Sequence, residues 1–320
     1  MRTAFALVLA ATIGACGSDS SGGGDDATGD PDANPTIKHD LLIESPDITI
    51  DPGQEITYCW YFRTPNTRSL AIKHWQSTMT SGSHHMIMYT SATDIMTPGT
   101  VSAVNCGVGG SNFPVWTYSA QTPENDLELP ADDGTGKPVA MEIPPNQAGF
   151  FQMHYNNRGD TAIKAHVVVT ADALPEGTAY TRTAAYVTFN SMISIPPNTA
   201  PNPGDTESMT CNVSPASKFW LMTTHSHKQA VHTDVKDGTA AAGTTVVDST
   251  TWEHPTVQRW TAPYYSFGTG KLTYECTYFN SSTTRTITTG DSAQTDEMCM
   301  ASGYFFPATK PVFCYNTISF

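Results

Sequence analysis

Charge is scarce in this chain of 320 residues: Asp, Glu, Lys and Arg together make up only 14% of it. Positive charge is scarcer still. The 16 Lys and Arg stand against 30 Asp and Glu, a formal net charge of −14. No basic cluster occurs, and without one the chain lacks the electrostatic footprint of a nucleic-acid binder. Beyond the first residues there is no run of roughly 20 apolar residues, so no helical membrane span is expected. No amphipathic helical stretch of useful length and no fixed-period repeat is found, which excludes helix bundles and solenoids.

What remains is 39% hydrophobic and 10% aromatic, rich in Thr, Ser and Asn, a composition suited to strands. Strand signals include Asp47 to Ile50 and Glu55 to Phe62, where Ile56, Tyr58, Trp60 and Phe62 alternate onto one face. Others are Ser69 to Trp75, Met86 to Thr90, Phe150 to Tyr155 and Ala162 to Ala171. Thr97 to Asn112 and Pro123 to Pro138 read as loops. Leu174 to Thr178 breaks the pattern, so a domain junction is expected near residue 180. The second half continues with Ala184 to Ile195, Lys218 to His227, Thr244 to Asp248, Thr256 to Thr261, Lys271 to Asn280, Glu297 to Phe306 and Val312 to Ile318. Many short strands with frequent turns predict an all-β chain of two tandem antiparallel β-sandwich domains, jelly-roll-like, spanning 37–180 and 181–320.

A leader and a tether precede them. Arg2 and the apolar run Ala4 to Ala15 form an export signal over 1–16. Ile13-Gly14-Ala15-Cys16 resembles the lipobox of bacterial lipoproteins, which implies lipidation of Cys16 and a cell-envelope location, periplasmic or at the cell surface. Residues 17–36 are Gly, Ser, Asp, Ala and Pro with no large aliphatic side chain, a disordered acidic tether. The membrane is then a partner only through the lipid anchor. Setting Cys16 aside, six cysteines remain: Cys59, Cys106, Cys211, Cys276, Cys299 and Cys314. An even number in an exported chain suggests three disulfides, with 15 connectivities open on spacing alone. If the halves are separate domains, Cys59 pairs with Cys106.

Histidines supply the chemistry. His84-His85 is a doublet between apolar runs, and His225-Ser226-His227 places two imidazoles on one side of a strand. The doublet needs a strand end, bulge or twist for both rings to reach one ion. Neutral imidazole suits Zn, Cu and Fe, and no carboxylates accompany these residues to suggest Mg or Ca.

In order, Thr57-Tyr58-Cys59, His84-His85-Met86, Gln152-Met153-His154-Tyr155, Thr224-His225-Ser226-His227 and Glu297-Met298-Cys299 resemble the copper type II, ascorbate-dependent monooxygenases. The resemblance covers about residues 40 to 318. It implies two copper ions, one held by His84, His85 and His154 and passing on electrons. The other is held by His225, His227 and Met298, the catalytic site where dioxygen meets substrate. It implies that the two face each other across a solvent-filled cleft, with ascorbate or another one-electron donor as reductant. It also implies the bridges Cys59–Cys106, Cys211–Cys314 and Cys276–Cys299.

The chain departs from the peptide-amidating members of that family where they grip a substrate carboxylate. Thr223, Met300 and Ser302 occupy those positions, and none is cationic. An Arg–carboxylate clamp has no equivalent replacement there. The implied activity is hydroxylation of an aliphatic C–H bond in a small organic substrate other than peptidylglycine, by a pocket near Thr223, Met300 and Ser302. The alternative is a non-catalytic copper-binding or electron-transfer lipoprotein.

Overall fold

The computed structural model describes residues 38–104, 106, 114–197 and 205–320. The leader, Cys16 and the tether lie outside the described residues. His39–Phe320 forms one compact unit. It is all-β: among the described residues every regular element is a strand.

Two larger sheets form from strands before residue 183, beside a two-stranded pair of Ile48–Ile50 and Ile163–Ala165. One runs Leu41–Glu44, Val167–Ala173, Leu70–Met79, Val139–Ile143 and Thr181–Arg182, with Glu124–Glu128 also paired to Leu70–Met79. The other runs Val101–Ser102, Glu55–Arg63, Ala148–Asn156, Ser83–Ser91 and Val115–Ala120. Alternation decides their facing. Met86 and Met88 turn inward with Phe151 and Met153, and meet Ile72, Trp75 and Val169 of the other sheet in one core. Trp75 stacks on Tyr118 at 5.3 Å between centroids. His85 and His154, offset by one residue from these, therefore point away from that core.

The later strands build a six-stranded sheet, Val257–Arg259, Lys218–Ser226, Cys299–Phe306, Ala184–Phe189, Val312–Tyr315 and Ile318–Ser319, and a four-stranded one, Thr206–Asn212, Lys271–Tyr278, Ala230–Asp237 and Thr244–Ser249. Between them lie Met222, Phe219, Phe267, Tyr274 and Ala301. The opposite face of the six-stranded sheet is not left to solvent. Its Leu221, Met300, Tyr304 and Phe306 join the core of the earlier strands. Cys299–Phe306 is accordingly buried at every position, the mark of a strand covered on both faces.

Several expectations change. Pro123 to Pro138, read as a loop, contains the strand Glu124–Glu128, whose Leu127 sits opposite Trp75 and is buried. It is an edge strand with one apolar contact, too polar to announce itself. Within Thr97 to Asn112, Val101–Ser102 pairs with Cys59 and Trp60. Ala184 to Ile195 is interrupted after Phe189, where Asn190 Oδ1 accepts the Met192 amide at 2.8 Å and turns the chain. Ala162 to Ala171 breaks at His166 and resumes to Ala173.

Candidate metal centre

The doublet is placed by a turn and a bulge. Gly82, at φ +97°, ends the turn before Ser83–Ser91, a conformation glycine adopts without strain. His85 then pairs with His154 of Ala148–Asn156, but the next pair is Tyr155 with Ser83. His84 is the residue skipped. This bulge supplies the departure from alternation that the doublet requires. The rings of His84, His85 and His154 lie 5.2–5.3 Å apart between centroids.

The second pair comes from the end of Lys218–Ser226. His225 sits opposite Met300, and Ser226 opposite Cys299. His227 directly follows Lys218–Ser226, and Met298 directly precedes Cys299–Phe306. Tyr278 Oη donates to the Met298 carbonyl at 2.9 Å, fixing the backbone there.

The two expected sites are not held apart by a cleft. His84 lies 5.3 Å from His225 and 5.7 Å from His227, and His85 lies 5.3 Å from His225, between ring centroids. Five imidazoles form one cluster. The reason is the shared core just described, together with polar ties at the histidine end. Ser292 Oγ and the Ala293 amide donate to Glu55 at 2.9 and 2.7 Å. Farther along the same face, Tyr304 Oη donates to the Thr117 carbonyl at 3.4 Å. Two triads can hold a metal, with ligand atoms within 4.8 Å of one another: His84, His85 and His154, and His84, His225 and His227.

The cluster is electrically neutral at neutral pH. Burial, reinforced by neighbouring imidazoles, pushes His84 down to about 3 and His85 and His225 well below their usual range. Burial likewise brings His227 down to about 4. It lowers His154 too, against the opposing pull of Glu55. A neutral imidazole has one N–H and one lone pair, and its partners decide which nitrogen is which. The carbonyl of Asp296 can only accept, so the His227 Nδ1 proton at 3.3 Å from it leaves the lone pair on Nε2. Gln121 Oε1, 2.8 Å from His225 Nδ1, fixes that ring in the same sense. Glu55 Oε1, 3.1 Å from His154 Nε2, turns the His154 lone pair to Nδ1. Such outer contacts orient metal-binding histidines.

Three nitrogens are left buried without a hydrogen-bond partner: His84 Nε2, His85 Nδ1 and His227 Nε2. An unsatisfied buried polar atom costs about 1–3 kcal/mol, and three converging in one cluster call for a shared partner. An imidazole set with oriented lone pairs and no carboxylate inside it fits copper or zinc. Outside the cluster, His39, His74, His166 and His232 each pair with a carboxylate.

Reading the sequence alone missed four contributors. Glu55, Gln121 and Trp252 reach the cluster only through packing; the Trp252 ring lies 5.4 Å from His84. The fourth, Glu297, is fully buried. It accepts the amides of His227 at 3.0 Å, Gln229 at 2.5 Å and Met298 at 3.3 Å. Burial pushes its carboxyl up to about 7 despite these donors. A buried acid beside the expected ligand Met298 was the available signal. The expected substrate pocket takes a different form. Thr223, Met300 and Ser302 share the face that carries His225, yet they are only 7%, 7% and 9% exposed. Thr223 Oγ1 already donates to the Thr256 carbonyl at 2.9 Å.

The disulfides are Cys59–Cys106, Cys211–Cys314 and Cys276–Cys299. Three disulfides mark an extracytoplasmic protein. No family model and no curated protein matches the sequence. A solved structure, the crystal structure of PBSX exported protein XepA, aligns over 82% of this chain and 86% of its own at 8% identity, with a TM-score of 0.18. A likeness at that score carries no argument about this chain.

Proposed function

We propose that the protein is a copper-dependent monooxygenase that hydroxylates an aliphatic C–H bond of a small organic substrate, using dioxygen and an ascorbate-like one-electron donor. The observation that carries this reading is the convergence of five imidazoles, three of them turned by hydrogen-bonded partners, with Met298 directly ahead of the strand that pairs with Lys218–Ser226. The residues would hold two ions, His84, His85 and His154 at one and His225, His227 and Met298 at the other. Copper bound there would supply dioxygen activation and one-electron transfer, and the soft thioether favours its reduced form. The chain's own part is to orient and to exclude. Glu55, Gln121 and the Asp296 carbonyl fix the rings. Trp252 covers His84. The face of Thr223, Met300 and Ser302 has no cation to attract a carboxylate, which suits a small, weakly polar substrate. Cys16 would anchor the protein to the envelope by lipid.

One observation favours a second reading, a non-catalytic copper-binding or electron-transfer lipoprotein. His85, His154, His225 and His227 are all under one-tenth exposed, which suits electron exchange without substrate entry. Copper analysis and oxygen uptake separate the two. The enzyme reading expects about two coppers per chain and ascorbate-dependent oxygen consumption coupled to a hydroxylated product. Met298→Ile should weaken Cu(I) at one site and abolish hydroxylation. Copper binding with no turnover across candidate substrates would leave the second reading standing.

A further inference from the structure

The two triads have His84 in common. Its ring stands about equally far from partners on both sides of the molecule: 5.2 Å from His85, 5.3 Å from His154, 5.3 Å from His225 and 5.7 Å from His227. Its Nε2 is buried and without a partner, as is Nε2 of His227. One nitrogen gives its lone pair to one ion, so the triads compete for His84 wherever they would use the same atom. The bulge at Tyr155 is what gives the ring this intermediate position.

We infer that His84, His225 and His227 form a metal site of their own, in which a single ion joins the strands before residue 183 to those after it. This rests on the metal-binding part of the reading above, but it assigns His84 to an ion that the family resemblance gives to His225, His227 and Met298. Three imidazoles with an open fourth position suit zinc as well as copper. An ion held there ties the bulge of Ser83–Ser91 to the end of Lys218–Ser226. The fold already brings these ends together through Glu55 with Ser292 and Ala293, and through Gln121 with His225. The metal is thus a cross-tie between halves, and His84 is the residue that makes it one.

The test uses the full chain with His154→Ala, which removes the first triad and leaves the second, and adds one equivalent of Zn²⁺. Hydrogen exchange followed by mass spectrometry reads residues 80–86 and 224–229. Joint slowing of both segments, several-fold over the metal-free protein, is the expected result. Adding His84→Ala to the same variant should confine the slowing to 224–229. The inference is overturned if His154→Ala slows only 224–229, or if the double variant still slows both. Should His154→Ala not fold, His85→Ala breaks the same triad from a different strand and carries the same outcomes. Zn²⁺ is redox-silent, so the result is independent of turnover. Joint slowing without hydroxylation in the copper-loaded wild type would leave this inference intact and sink the enzyme reading. Turnover without joint slowing would do the reverse.

Discussion

Glu297 carries a burden out of proportion to its size. Its carboxylate ties the amide of His227 to that of Met298, so one side chain sets the spacing of two expected ligands. Its third acceptance, from Gln229, closes the turn after His227. Glu297→Ala leaves those buried amides unpartnered. A buried donor left without a partner costs about 1–3 kcal/mol. We expect a loss of that size in urea unfolding of the metal-free protein, with weakened metal binding at His227. Unchanged stability would mean that water or the backbone replaces the carboxylate. At this scale the sequence was informative where residue type alone carries the chemistry. His84-His85, His225-x-His227 and Met298 stand out because imidazole and thioether have few other reasons to recur in such spacing. Gln121 and Trp252 do not, since a glutamine or tryptophan in a polar loop is ordinary until packing brings it to a metal centre.

At the level of elements, the ligand strands are stiffened by disulfides of unequal reach. Cys211–Cys314 closes a separation of 103 residues and Cys276–Cys299 one of 23. In the chain-entropy treatment these are worth about 4.7 and about 3.4 kcal/mol. Replacing Cys211 and Cys314 by Ala should therefore lower the unfolding free energy more than replacing Cys276 and Cys299. Metal affinity should rank the other way, because Cys299 adjoins Met298 and opens the strand that pairs with His225. Denaturant melts and copper titrations of the two double variants check both orders. Strands that bury both faces, such as Cys299–Phe306, were legible as apolar runs. Thr206–Asn212 and Ala230–Asp237 were not, because their polar side chains pair across a sheet whose other partners lie far away in sequence. The bulge that frees His84 is a property of two strands together, and its only sequence trace is Gly82.

For the molecule as a whole, the cluster of neutral imidazoles is a liability without metal. An unfolded histidine titrates near 6.5, whereas folded His227 and His84 titrate at about 4 and about 3 because of burial and mutual repulsion. Between those values the unfolded state binds more protons, so stability falls as pH falls. Glu297, raised by burial from 4.5 to about 7, opposes this above about pH 4.5, so chelator-treated protein should lose stability most clearly between about pH 4.5 and pH 3. Bound metal should delay the loss, since protons must then displace it. Urea midpoints at stepped pH, with and without Cu²⁺ or Zn²⁺, measure this. A midpoint flat across that range in the metal-free protein would contradict the burial of the rings. That two halves share one core could not be read from the sequence. Leu221 and Tyr304 look like ordinary inward strand residues, and only the second sheet's far face reveals which core they join.

That far face is graded along its length. From the histidine end it reads His225 and Met300, then Thr223 and Ser302, then Leu221 and Tyr304. Successive pairs on one face are about 7 Å apart. Hydroxyls therefore follow the His225–Met300 pair, and the leucine and aromatic side chains begin roughly 14 Å from it. Separating the apolar end would expose Leu221, Tyr304 and Phe306 to water at about 25 cal/mol per Å². Parting the hydroxyl end costs little by comparison. Water, dioxygen or a small solute would wet the face from the histidines inward while the far end stays dry.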